Sequence, residues 1–190
     1  MTETVVRLAD AEATRAYGRA LAALLRAGDL VVLTGDLGAG KTTLTQGIGA
    51  GLGVRGQVAS PTFIIAREHP GLVREDGTRG PDLVHVDAYR LSSLDEVEAL
   101  DLDSSLEEAV TVVEWGAGWV ESLAADRLEV AITRPRGDVT GAGVDDAEDD
   151  GGAGERVVTV RGVGERWAGA DLAAVADEAL GRTAVDGVAG

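Results

Sequence analysis

The sequence predicts an α/β fold of three layers, with a mostly parallel central sheet and antiparallel edge strands. Three observations carry that expectation. Leu30-Val31-Val32-Leu33-Thr34 is apolar without alternation, as a parallel strand covered on both faces is. It runs into a glycine-rich turn and then into Leu44, Ile48 and Leu52, which recur at helical spacing, so strand, turn and helix follow directly on one another. Downstream, the apolar runs ending at Asp87 and Glu114 each close on a carboxylate, at the strand end where open α/β sheets place their ligands.

Composition bounds the rest. A chain of 190 residues that is 45% hydrophobic can bury the core of one domain. That domain is expected over residues 1–181, with 134–155 as an acidic, glycine-rich mobile insertion and 182–190 as a flexible tail. There is no cysteine, so disulfides and thiolate metal sites are excluded. No apolar run approaches membrane-spanning length and the N-terminus carries no basic region followed by an apolar stretch, so a cytoplasmic protein is expected. The formal net charge of −16 argues against a direct grip on DNA or RNA, because polyanion affinity rests on Lys and Arg neutralising phosphates.

Taken in order, Thr4 to Leu8 reads as a short strand. From Asp10 to Arg26, Ala13, Tyr17, Ala20, Leu21 and Leu24 share a helical face, with Gly28 as the expected C-terminal cap. Neither element carries chemistry; both are scaffold for the strand that follows.

Gly35-Asp36-Leu37-Gly38-Ala39-Gly40-Lys41-Thr42 matches the phosphate-loop pattern, two glycines with four residues between them and then Lys and Ser/Thr. Glycines let the backbone turn tightly and aim successive N–H groups at phosphate oxygens. Lys41 can reach the β- and γ-phosphates and the Thr42 hydroxyl can hold Mg²⁺, so the expected nucleotide-binding stretch runs from Gly35 through Thr43. Lys41 is also the sole lysine; the other basic residues, of 17 in all, are arginines. Retaining one compact ammonium here is consistent with a point-charge phosphate ligand that a forked guanidinium could not replace. Gly47 and Gly51 in the following helix allow close approach to a neighbour.

In Val58 to Arg67, Pro61 pushes Ser60 into an extended conformation, and Phe63-Ile64-Ile65 reads as a strand. From pattern alone this is a strand preceded by a rigid turn; the functional alternative places Thr62 where many phosphate-loop proteins carry a switch threonine sensing Mg²⁺ and the γ-phosphate. Pro70 to Pro81 reads as a hairpin loop. In the strand that follows, His85, Asp87 and Tyr89 share one face. His85 reads as a hydrogen-bonded packing residue rather than a metal ligand, since no imidazole–carboxylate spacing supports a site. Ser92/Ser93 with Asp95/Glu96, and Ser104 with Glu107, offer capping boxes for two helices.

Val110-Thr111-Val112-Val113-Glu114 is a second strand ending in an acid, the form in which phosphate-loop proteins hold the Mg²⁺ shell or orient water. Asp87 and Glu114 compete for those roles. Leu128 to Thr133 and Arg156 to Arg161 alternate and read as antiparallel edge strands. The Gly/Asp/Glu stretch between them cannot bury enough surface to offset its ordering entropy. Asp171 to Leu180 reads as an amphipathic helix with Gly181 beyond it.

With the phosphate loop, Ser60-Pro61-Thr62, His85-Val86-Asp87-Ala88-Tyr89-Arg90-Leu91 and Glu114-Trp115-Gly116 in this order, the chain resembles the TsaE (YjeE) family of small bacterial ATPases over roughly residues 1 to 133. The resemblance implies a P-loop NTPase that binds ATP and Mg²⁺. It implies a role in forming N6-threonylcarbamoyladenosine at position 37 of tRNAs reading codons that begin with A. The group transfer itself belongs to a TsaB/TsaD-type partner complex, so tRNA is met only through that complex. On matching positions, Thr42 and Glu114 would hold Mg²⁺, Thr62 would act as a switch and Asp87 would orient the attacking water, or exchange that role with Glu114. Trp115 either reports on nucleotide or packs. Hydrolysis by the isolated chain is expected to be slow, with added positive charge coming from Arg90 or from the partner.

Two rival readings share the loop: a small-molecule kinase, and a nucleotide-gated interaction module in which hydrolysis is incidental. A GTPase with the Asn-Lys-x-Asp guanine reader is excluded, because the chain contains no asparagine.

Overall fold

The computed structural model describes residues 2–61, 66–90, 96, 102, 106–121, 123–135 and 154–181, with the side chain of Arg90 left aside. Among them run β1 (Thr2–Leu8), α1 (Ala11–Ala22), β2 (Leu30–Thr34), α2 (Lys41–Leu52), β3 (Ala66–His69), β4 (Asp82–Asp87), β5 (Ala109–Glu114), β6 (Arg127–Thr133), β7 (Arg156–Val163) and α3 (Leu172–Ala179). Short 3₁₀ turns follow β4 and β7, at Ala88–Arg90 and Glu165–Trp167.

The strands form one seven-stranded sheet in the order β1-β7-β6-β2-β5-β4-β3. The central four, β6-β2-β5-β4, are parallel, and β1, β7 and β3 join antiparallel. β2 and β5 are buried along nearly their whole length, which is what their unbroken apolar sequences require. The expected α/β class with a mostly parallel centre and antiparallel edges is the one observed. The edges themselves differ from expectation. β6 pairs with β2, and β7 lies inside β1, which is zipped to it from Thr2↔Gly162 to Leu8↔Arg156. The alternation in β6 and β7 arises because one face packs on helices while the other is only partly covered.

Core packs on both faces of the sheet. On one face Tyr17 and Leu21 of α1, Leu44 and Ile48 of α2 and Leu172 of α3 meet Leu33, Val110 and Val112. On the other, Val32, Val86 and Val113 pack with Leu102, Leu106 and Val120. α1 and α2 touch backbone to backbone: a Cβ on Gly18 would run into the Leu44 carbonyl oxygen, and one on Gly47 into that of Arg15. A Cβ on Gly51 would likewise run into α1, at Ala22 Cβ and the Arg19 carbonyl oxygen. This contact fixes α2, and with it the phosphate loop, against the scaffold helix.

Two local expectations are corrected. α1 ends at Ala22 with Ala23 as its cap, and Gly28, at φ +94°, instead turns the chain into β2 and donates its N–H to Ala109 O. β4 stops at Asp87, so Tyr89 sits in the 3₁₀ turn, 61% exposed, and does not share the strand face of His85 and Asp87. β3 begins at Ala66. Thr62, Phe63 to Ile65, the helix expected from Ser92, the start of that expected at Ser104, 136–153 and 182–190 lie outside the described residues.

Candidate functional site

The end of β2 and the start of α2 build the centre of the site. Gly35 (φ +146°) passes against the Ile132 carbonyl, where no Cβ fits, while Gly38 (φ +76°) and Gly40 (φ +114°) turn through left-handed backbone that other residues resist. α2 then begins at Lys41 with no side-chain cap on its first N–H groups. A glycine loop feeding a bare helix N-terminus is an anion seat, since aligned N–H donors and the helix dipole both favour negative charge.

Lys41 is 4% exposed, and its Nζ donates to Gly35 O at 2.8 Å and Asp36 O at 2.9 Å. The ammonium also stands 4.0 Å from the centroid of the Trp115 ring, close enough for cation–π attraction. Burial holds its pKa below the usual lysine range, against the opposing pull of the Glu114, Asp87 and Asp36 charges.

Parallel pairing of β4 with β5 sets Asp87 opposite Glu114 at the carboxyl ends of both strands. The Thr42 hydroxyl donates to Glu114 Oε1 at 2.9 Å, joining the first turn of α2 to the end of β5. His85, fully buried two residues before Asp87, places Nε2 2.8 Å from the same Oε1. Asp87 accepts the Tyr89 N–H on Oδ1 at 3.0 Å and a long bond from Ser60 Oγ on Oδ2 at 3.4 Å. Trp115 is the one non-glycine residue at positive φ (62°) among those described, and Tyr89 tilts against its ring at 5.2 Å. Non-glycine residues in this region cost about 1–3 kcal/mol and gather at functional sites.

A cleft of about 230 Å³ brings Leu37, Gly38, Gly40, Lys41, Thr42, Thr43, Asp87 and Glu114 together, with Ser60 and Trp115. Gly35 and Asp36 enter through their carbonyls on Lys41. Asp36, Leu37 and Ala39 line a second cleft of about 360 Å³ beside the loop, with Arg134, Pro135, Gly154 and Glu155. Thr62 lies outside the described residues. Sequence reasoning missed Ser60 as a partner of Asp87 and His85 as a partner of Glu114. The alternation of His85 with Asp87 gave the shared face, but nothing in it gave the neighbouring strand.

A family model described as "Threonylcarbamoyl adenosine biosynthesis protein TsaE" matches residues 8–140. The chain belongs to the TsaE family. Among relatives, the tRNA threonylcarbamoyladenosine biosynthesis protein TsaE of Streptomyces coelicolor is 59% identical over 163 residues, covering 85% of this chain and 99% of the relative. The TsaE protein of Bacillus subtilis is 38% identical over 162 residues, covering 85% and 87%. Among solved structures, Bacillus subtilis YdiB superposes with a TM-score of 0.61 at 31% identity, covering 94% of this chain and 95% of that one. The P-loop NTPase fold of TsaE is therefore the fold of this chain.

Proposed function

We propose that this TsaE chain is a P-loop ATPase that supports formation of the threonylcarbamoyl group on N6 of adenosine 37 in tRNAs reading codons that begin with A. In this reading it acts by ATP binding and hydrolysis on a TsaB/TsaD-type transferase complex and does not transfer the group itself. The names of its relatives support the pathway. The observation that carries the ATPase reading is the hydrogen bond from Thr42 to Glu114 beside the buried Lys41, which couples the loop helix to a strand-end acid.

The donor set suits magnesium. Thr42 and Glu114 offer two hard oxygens 2.9 Å apart, and adjacent ligands of a magnesium octahedron with bonds of about 2.0–2.1 Å are about 2.9 Å apart. Magnesium is commonly held by one or two protein oxygens plus substrate phosphates, and when bound it would neutralise charge on the β- and γ-phosphates. In the proposed mechanism the loop N–H groups hold the phosphates, and Lys41 leaves the Gly35 and Asp36 carbonyls to pair with them. Glu114, engaged with Thr42, takes the metal side. Asp87, held by the Tyr89 N–H, orients the attacking water, and Thr62 reads the γ-phosphate.

Among the described residues Lys41 is the only cation lining the 230 Å³ cleft, so hydrolysis by the isolated chain is expected to be slow, with added positive charge coming from Arg90 or from the docked partner. The net charge of −16 fits a protein that meets tRNA only through that partner. The test is the ATPase rate of the chain alone and with a TsaB/TsaD complex: a marked rise is expected, and an unchanged rate contradicts activation by docking.

A further inference from the structure

We propose that His85 is a positioning residue for Glu114, holding the carboxylate in the one orientation that serves both Thr42 and the magnesium of a bound nucleotide. The inference rests on the nucleotide site proposed above.

His85 is 0% exposed, and its Nε2 lies 2.8 Å from Glu114 Oε1, the oxygen that also accepts the Thr42 hydroxyl at 2.9 Å. The other ring nitrogen, Nδ1, is buried with no hydrogen-bond partner among the described residues. A carboxylate oxygen only accepts, so at this distance Nε2 carries a proton and donates it to Glu114. Oε1 is thus fixed from two sides, by α2 through Thr42 and by β4 through His85. Without them a glutamate at a strand end has several staggered rotamers to choose from.

A purely space-filling role explains this arrangement poorly. An apolar side chain would fill the same position without burying a ring nitrogen that has no partner among the described residues. The cost is understandable where the ring orients a metal-binding carboxylate, because such supporting hydrogen bonds typically govern metal affinity by about 10–100-fold.

The chain has only two histidines, His69 and His85, so ¹⁵N-imidazole spectra resolve both rings. For His85 a proton on Nε2 is expected, and a ring protonated on Nδ1 alone overturns the proposal without any variant having to fold. Variants then test the link to magnesium through ADP binding, independently of turnover. In His85→Leu the Mg²⁺ concentration needed to tighten ADP binding is expected to rise about tenfold, while ADP affinity in EDTA stays within about twofold of the unmodified chain. His85→Gln, whose amide can present a donor near the same point, is expected to recover most of the response. An unchanged Mg²⁺ response in folded His85→Leu overturns the proposal. An unmodified chain that binds no ADP contradicts the nucleotide site instead, and the tautomer still judges His85.

Discussion

Thr42 Oγ1 and Glu114 Oε1, 72 positions apart in the chain, meet at 2.9 Å in the floor of the cleft. One belongs to the first turn of a helix and the other to the last residue of a central strand. The parallel pairing of β2 with β5, Leu33 opposite Glu114, carries that strand end to the glycine loop. Each expected property of the site depends on this junction or on Lys41 beside it.

Glu114→Gln keeps an oxygen for Thr42 and removes the negative charge. Nucleotide binding is expected to persist while hydrolysis falls about 100-fold, as for loss of one charge-organising group in other active sites. Equilibrium binding of a fluorescent ATP analogue and single-turnover phosphate release check both halves.

Lys41 cannot reach phosphates while it caps Gly35 O and Asp36 O under the Trp115 ring. Its departure changes the electrostatic environment of the indole, so ATP is expected to shift Trp115 emission. Of the three tryptophans, Trp115 alone lines the cleft among the described residues, and Trp115→Phe is expected to abolish the response. Fluorescence titration of the two proteins decides it.

Gly47→Ala adds a methyl group where the Arg15 carbonyl already sits. Overpacking of this kind costs about 1–3 kcal/mol, and α2 must shift with the loop that begins it. A lower urea midpoint together with weaker ATP binding is expected.

His69 is buried on β3 with Nε2 unpaired among the described residues, and burial holds its pKa below the usual histidine value despite a hydrogen bond to the Arg55 backbone. The unfolded chain therefore takes up the proton first. Stability is expected to fall as pH drops from about 6.5 towards the lower folded value, by at most about 1.4 kcal/mol per pH unit from this one group. Urea titrations across that range check the slope, which His69→Phe should flatten.

The parts of this molecule that local chemistry dictates were legible in the sequence. The phosphate loop needs glycines at fixed positions, and the continuous apolar runs of β2 and β5 could only be covered strands. The acids at Asp87 and Glu114 followed from strand ends. What needed tertiary structure was adjacency between elements. β1 closes outside β7, so the alternating strands are interior and not edges. The His85 bond to Glu114 depends on β4 lying beside β5, and the Lys41–Trp115 contact depends on a left-handed turn at a non-glycine residue, which propensity does not foretell. α1 stopped at Ala22 because its last turn tightened there, which moved the expected glycine cap into the turn before β2.

Multiple-turnover tRNA modification with a purified TsaB/TsaD-type complex, comparing the unmodified chain with Lys41→Ala, measures the link between this site and tRNA most directly. Sustained formation of threonylcarbamoyladenosine is expected with the unmodified chain. With Lys41→Ala, product is expected to stall after about one turnover per complex, because loss of the phosphate-binding charge should cut hydrolysis by about 10²–10³-fold. Equal progress curves with folded Lys41→Ala would contradict the proposal that ATP at this loop drives the modification.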